Sequence, residues 1–302
     1  MSAVIDSTVA PSPKPETKPA AQRKRRFAKA NWRTHLVLGL SLIVMVYPLL
    51  WLVGASFKPE DQIFSTFDPL PLHGFTLSNY TSGWTATGTS FTVYIVNSLV
   101  LSGLAVVGNL LTCSAAAYAF ARLDFAGRKI WFGLMLSTLM LPFQATMIPQ
   151  YALFYKLNWI NTFLPLVVPH FLAVDAFFIF LMTQFIRGIP RELDEAASID
   201  GAGHVRVYFS VILPLLRPAL ITTTVLTFMW IYSDFLRQLV YLNDNTRYTV
   251  PLGLNAFVDR ASGSSYGGLL AMSVVTLLPM LVVFLVFQKR LVDGVANSGI
   301  KG

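Results

Sequence analysis

Apolar stretches near 20 residues long recur along the chain, separated by short polar segments. They lie approximately at Leu36–Phe57, Phe91–Phe120, Ile130–Leu153, Phe163–Ile186, Leu220–Leu242 and Leu269–Phe287. A helix rising about 1.5 Å per residue needs about 20 residues to cross about 30 Å of hydrocarbon. The pattern therefore predicts an all-α, polytopic membrane protein with six transmembrane helices. The second run is rich in small residues (Ser98, Ser102, Gly103, Gly108, Ser114), which let helix backbones approach closely. The third contains Pro142 and Pro149 and is expected to kink, because each proline removes a donor and neighbouring helices must satisfy the freed carbonyl. Residues 1–34 carry prolines and basic residues but almost no large aliphatics. They are expected to form a disordered, basic cytoplasmic tail ahead of a transmembrane domain at 35–302. The run after Arg23–Arg26 is too long for a signal core and has no small-x-small cleavage site, so it reads as a retained first span.

Composition excludes an ordinary soluble fold: 54% of residues are hydrophobic and 13% charged. The formal charge of +8 would suit nucleic acid, but the basic residues flank apolar runs and do not form a separate basic domain. Of 23 Lys and Arg, eight precede Leu36, three lie in 122–129, four in 187–217 and three follow Phe287. That asymmetry predicts both termini, and the segment 187–218, on the cytoplasmic side. Cys113 stands alone, and His35, His73, His170 and His204 show no ligand spacing, so neither a disulfide nor a metal site is expected. The sequence contains no Gly-x-x-x-x-Gly-Lys-Ser/Thr loop. The chain is expected not to be an enzyme, to bind no cofactor itself, and to draw energy from elsewhere.

Between the fourth and fifth runs the residues follow a definite order: Pro190, then Glu192, Asp194 and Glu195, then Ala196-Ala197, Asp200-Gly201 and, further on, Leu213-Pro214. Proline suits a first helical position, carboxylates favour the positive helix N-terminus, and glycine suits a left-handed stop. A short cytoplasmic helix is expected, with Leu193, Ala196, Ala197 and Asp200 on a narrow face beside Glu195. A second is expected over about Val205–Ile212, ended by Pro214.

Glu195-Ala196-Ala197, three residues, Gly201, nine residues, Val211, one residue, then Leu213-Pro214 resembles the signature loop of permeases in binding-protein-dependent ABC importers. Val211 departs slightly, since isoleucine is commoner there. Ser56-Phe57-Lys58-Pro59, Asn97-Ser98-Leu99, Ala116 to Arg122, Met140-Leu-Pro142, Ile148-Pro149, Ile189 to Leu193 and Lys301-Gly302 are similar to the carbohydrate branch, the maltose-permease type. The resemblance implies a multi-pass protein of the bacterial inner membrane. It implies as partners a second permease subunit, two ATP-binding subunits that carry ATP and Mg, and an extracytoplasmic sugar-binding protein. It also implies a sugar cargo and an ATPase-coupling role for Glu195, Ala196, Ala197, Asp200, Gly201, Leu213 and Pro214.

Polar and ionisable residues within spans are expensive and mark cavities or pairs. Asp175, Gln184, Asp234 and Arg237 are therefore the first candidates for a substrate path, with Asn97, Gln144 and Tyr151 behind them. Asp175 fits the external interface as well. Asp234 and Arg237, three apart on one helix, can neutralise each other or contact sugar. Tyr232-Ser-Asp234-Phe is similar to the family's fifth-span Trp-Asn-Asp/Glu-Phe, with Ser233 in place of the amide and Arg237 in place of an aromatic. A guanidinium fork also suits carboxylate, so an anionic sugar derivative enters consideration. The alternative is an ion-coupled secondary transporter for a small polar solute, driven by protons through Asp175 and Asp234.

Overall fold

A computed structural model describes residues 32–65, 68–71, 74–259 and 265–298. The expected tail, but for residues 32–34, lies outside these residues, as do Arg260, His73 and Lys301-Gly302. The described residues fall into two units that meet between Val46 and Tyr47. Up to Val46 there is a single helical stretch, the first part of Trp32–Ala55, whose Leu, Val, Ile and Met side chains are almost all exposed. Apolar all round and uncovered, such a helix is stable only where lipid or another apolar surface is its solvent.

The regular elements among the described residues of the second unit are all helices, joined by turns and irregular segments. Among all the described residues four segments, Thr34–Ala55, which runs from the first unit into the second, and Phe91–Arg122, Leu164–Arg187 and Tyr266–Lys289, are long and apolar enough to span a membrane. Two bent pairs, Arg128–Met140 with Phe143–Lys156 and His204–Leu215 with Arg217–Tyr232, raise the number to as many as the expected six where each pair is one broken span.

The second span, Phe91–Arg122, is the axis of this unit. Its buried positions, Ser98, Leu101, Ser102, Ala105, Gly108, Asn109, Cys113 and Ala117, recur at three- and four-residue intervals. They make a face of small residues on which the fourth and fifth spans close. Gly108 shows why the residues must be small: a Cβ there would lie 3.0 Å from the His170 backbone. One core joins Cys113, Ala117 and Tyr118 to Phe178, Met182 and Ile186 of the fourth span and to Val207, Ile212 and Leu216. A second joins Phe91 and Tyr94 to Phe228, Tyr232, Val250 and Met272. The opposite side of the second span exposes Val96, Val100, Leu104, Val107 and Leu111.

Three spans break where the sequence reading expected continuity or a gentle kink. The third turns by 103° at Pro142, which caps the following helix in an extended conformation, while Pro149 stays inside that helix. A proline next to a β-region residue, Leu141 at φ −84° and ψ 115°, ends a helix where a lone internal proline only bends one. The fourth passes through a tight turn, Val168–Leu172, and Ala173 at φ 53° before the helix Ala176–Arg187. The fifth, expected over Leu220–Leu242, runs as Arg217–Tyr232 and then Leu236–Tyr241. Asp234 therefore lies in the break, off the helix that holds Arg237.

The polar loop differs in detail. Its first helix is Glu192–Ile199, so Pro190 precedes the helix by two residues. Pro214 does not end the second: His204–Val207 continues through a wide turn at Tyr208–Ile212, which accommodates the proline, into Leu213–Leu215. The direction changes by 74° only at Leu216, because Pro218 has no donor for the carbonyl of Pro214.

Candidate functional site

The three breaks converge. An open chamber of about 800 Å³ is walled by Asn109 of the second span, Thr138 to Gln144 at the third-span break, His170 to Phe178 at the fourth, and Thr227 to Arg237 at the fifth. Irregular backbone within membrane-spanning segments is tolerated where it is covered by protein or lines a cavity, and here it does the latter.

Four ionisable side chains face this space. His170 Nδ1 lies 2.6 Å from Asp175 Oδ2, with the imidazole nearly buried and the carboxylate partly open. Asp234 Oδ1 accepts from the Arg237 backbone N–H at 3.2 Å, so the carboxylate is tied to the first turn of the helix Leu236–Tyr241. Its other oxygen is 3.7 Å from Arg237 Nε, a loose pair that leaves much of the guanidinium unengaged. The Arg237 guanidinium sits 4.9 Å from the centre of the Phe143 ring. Phe177 and the half-exposed Trp230, with ring centres 5.3 Å apart, complete an aromatic wall.

Of the seven sequence-derived path residues the chamber gathers Asp175, Asp234, Arg237 and Gln144. The other three lie elsewhere. Asn97 donates to the carbonyls of Thr246 and Tyr248 and ties the second span to the segment before Val250. Tyr151 stacks on Tyr241 at 6.4 Å. Gln184 is exposed three residues before the end of its helix. His170 and Asn109 also line the chamber and are not among the seven. The isolated amide at 109, in the middle of an apolar run, is the one sequence signal for it; His170 carries none beyond its failure to show metal-ligand spacing. Among the described residues no His, Cys, Asp and Glu group has metal-site geometry.

The polar loop forms a second feature. Arg191 precedes Glu192–Ile199, whose first turn carries Glu192, Asp194 and Glu195. At the other end Gly201 adopts φ 78°, its N–H donates to Ser198 O at 3.0 Å, and that of Ala202 donates to Ala197 O at 3.0 Å. This paired closure satisfies the last carbonyls of the helix and requires the left-handed residue. The expected narrow face divides: Ala197 turns toward the core, while Glu195, Ala196, Ile199 and Asp200 are exposed, joined by exposed Val205 and Phe209. Leu213 is partly buried against the core, and Pro214 is exposed beside it.

Below that surface the loop is fastened. Tyr208 and Ser114 share a hydroxyl hydrogen bond of 2.7 Å, Tyr118 donates to His204 O at 3.2 Å, and Arg122 donates to Ile189 O at 2.7 Å. The spans that hold the loop also wall the chamber.

This arrangement, broken spans around a polar chamber with a fastened surface loop, defines a helical membrane permease. The sequence profile described as "Binding-protein-dependent transport system inner membrane component" matches residues 108–297, and the chain belongs to that family. It is 36% identical over 274 residues to the arabinooligosaccharides transport system permease protein AraQ of Halalkalibacterium halodurans, covering 88% of this chain and 96% of the relative. It is 29% identical to the trehalose/maltose transport system permease protein MalG of Thermococcus litoralis, covering 89% of this chain and 97% of that one. In fold it resembles a chain from a bacterial ABC transporter involved in the import of the acidic polysaccharide alginate. That TM-score is 0.73 at 22% identity, over 90% of this chain and 99% of that one.

Proposed function

We propose that the chain is one permease subunit of an ATP-driven sugar importer. It forms half of the translocation path and couples to a separate ATPase through the Glu195–Gly201 loop. The observation that carries this reading is the packing continuity between loop and chamber. Val207, Ile212 and Leu216 share a core with Cys113, Phe178 and Ile179, while Asn109 and Phe178 stand on the same two spans at the chamber wall. Close-packed interiors move as discrete bodies, so a partner that shifts the loop also shifts the wall.

The exposed apolar residues Ile199, Val205 and Phe209 around Glu195 give an ATPase something to grip. A second permease closes the other half of the path, two ATPases supply ATP and Mg, and an extracytoplasmic binding protein delivers cargo. Family membership supports this assembly. So does a solved alginate transporter in complex with an oligosaccharide-bound periplasmic protein, similar in fold at a TM-score of 0.56. The Lys and Arg asymmetry supports a cytoplasmic position for the loop.

The chamber chemistry suits carbohydrate. The Asp175 and Asp234 carboxylates accept from hydroxyls, Arg237 donates to them, and the faces of Trp230, Phe177 and Phe143 attract the polarised C–H groups of a sugar ring. The relatives named for oligosaccharides support that class.

The test is uptake by the assembled importer in proteoliposomes. Glu195→Lys is expected to abolish ATP-dependent sugar uptake while the chain remains in the membrane. Normal transport by that variant would reject the coupling role, and uptake that survives loss of the ATPase but collapses with a protonophore would establish the ion-coupled alternative.

A further inference from the structure

A second open pocket, of about 630 Å³, lies between the ends of three spans and the start of the polar loop. Four arginines line it, Arg122, Arg128, Arg187 and Arg191, against the single carboxylate of Glu192. Arg122 is engaged by Asp194 at 2.6 Å, and Arg128 by the well-exposed Asp124 at 2.8 Å. Arg187 rests 5.0 Å above the Phe132 ring. Neither Arg187 nor Arg191 has a carboxylate within ion-pair distance among the described residues. An adjoining depression shares Arg128 and adds Lys129 and Ile130. This is a concave site with surplus positive charge and guanidinium forks suited to bidentate recognition of an oxyanion.

Position selects among anions. Arg122 and Arg187 are the last residues of their helices and Arg128 the first of its own, so the cations stand at the ends of candidate spans, where the headgroups of a bilayer would lie. Beside them Phe120 packs on Phe125 and Phe132 at 5.8 and 5.3 Å, and Phe125, Ile130 and Trp131 are exposed. Aromatic and apolar side chains next to cations at a span end match both halves of a lipid, acyl chain and phosphate. A soluble anion needs no such apolar flank. An ATPase docking on exposed Ile199, Val205 and Phe209 has its own apolar surface elsewhere on the loop.

We propose that this pocket binds the phosphate of an anionic phospholipid, held chiefly by Arg187 and Arg191. Bound there, the headgroup neutralises cations next to Gly188–Glu192 and ties the entry of the loop helix to the membrane surface. Its placement in the cytoplasmic leaflet rests on the orientation given under Proposed function; the site itself does not.

The experiment is native mass spectrometry of the detergent-purified importer complex with phosphatidylglycerol, phosphatidylcholine or inorganic phosphate added. Phosphatidylglycerol adducts are expected to exceed phosphatidylcholine adducts. The double variant Arg187→Gln/Arg191→Gln is expected to weaken phosphatidylglycerol binding about 10-fold or more, the scale of a lost charge-assisted contact to the phosphate. Lys156→Gln is expected to leave it unchanged. Arg191→Lys, at an exposed position that does not threaten folding, keeps the charge but loses the fork and should bind with a strength between those of the parent and the double variant.

Equal retention by the double variant and the parent overturns the proposal. So does occupancy by inorganic phosphate with no lipid preference, and so does loss of the ATPase from the double variant with lipid retention unchanged, which marks a protein contact. Lipid retention needs neither cargo nor ATP, so a complex that holds phosphatidylglycerol here but moves no sugar rejects the transport reading alone.

Discussion

Arg122 Nε lies 2.6 Å from Asp194 Oδ2, joining the last residue of the second span to the first turn of the loop helix. The arginine side chain is 6% exposed and the carboxylate 20%. The same guanidinium reaches Ile189 O at 2.7 Å. One residue thus fixes both the approach to the helix and the helix itself.

Removing one partner of a buried pair leaves an uncompensated charge, which costs about 3–5 kcal/mol. Arg122→Met and Asp194→Asn are each expected to lower the thermal stability of the purified chain and to cut uptake. The exchanged pair, Arg122→Asp with Asp194→Arg, should recover part of both. Additive loss in the exchanged pair would show that the residues act separately.

Gly201 separates strain from contact. Its φ of 78° disfavours side chains, yet a Cβ built there meets nothing within 4 Å. Gly201→Ala is therefore expected to cost only about 1 kcal/mol, and Gly201→Asn less, because asparagine visits the left-handed region more readily. If the ATPase grips the loop, Gly201→Ala abolishes uptake out of proportion to its small shift in melting temperature. Uptake that follows stability alone would show that nothing presses on this residue.

Arg237 is the chamber residue with donors to spare. Arg237→Gln is expected to reduce uptake of a carboxylate-bearing oligosaccharide by about 10-fold or more, the scale of one charge-assisted hydrogen bond. A neutral oligosaccharide should lose less than about 3-fold. Asp234→Asn keeps an oxygen for the Arg237 N–H and should preserve the helix Leu236–Tyr241 while weakening hydroxyl recognition. Equal losses for acidic and neutral cargo in Arg237→Gln would assign the arginine to structure.

The apolar helices and the loop helix were legible in the sequence because each rests on local chemistry: apolar length in one case, and acidic first turn, small residues and stop glycine in the other. The chamber was half legible. Asp175, Asp234 and Arg237 announced themselves as charges in apolar runs, but nothing local says that breaks at Pro142, Ala173 and Ser233 meet in space. Asn97 and Tyr151 look the same in sequence as Asn109 and Gln144. Helix phase and tertiary packing send the former to Tyr248 and Tyr241 and the latter to the cavity. Pro214 misled for a related reason, since the wide turn Tyr208–Ile212 absorbs the missing donor and lets the helix continue.

The other end of the unit offers a test of assembly independent of transport. Glu60 accepts from the backbone N–H groups of Tyr266 and Gly267, the latter at 3.1 Å, and so caps the last span. Asn79 donates to Ser56 O at 2.9 Å and Lys58 O at 2.8 Å, and its carboxamide packs so closely on Gly267 that a Cβ there would overlap it. The ends of the first and last spans are thereby joined through one carboxylate and one amide. Glu60→Gln retains an acceptor but loses the charge at a helix N-terminus, and is expected to cost about 0.5–1 kcal/mol. It should speed hydrogen exchange at the amides of residues 266–268. Gly267→Ala must push Asn79 away and release both carbonyls, so it is expected to destabilise by more, about 1–3 kcal/mol, with faster exchange spreading to residues 79–83. Unchanged exchange at 266–268 in Glu60→Gln would show that the carboxylate does not hold that helix start.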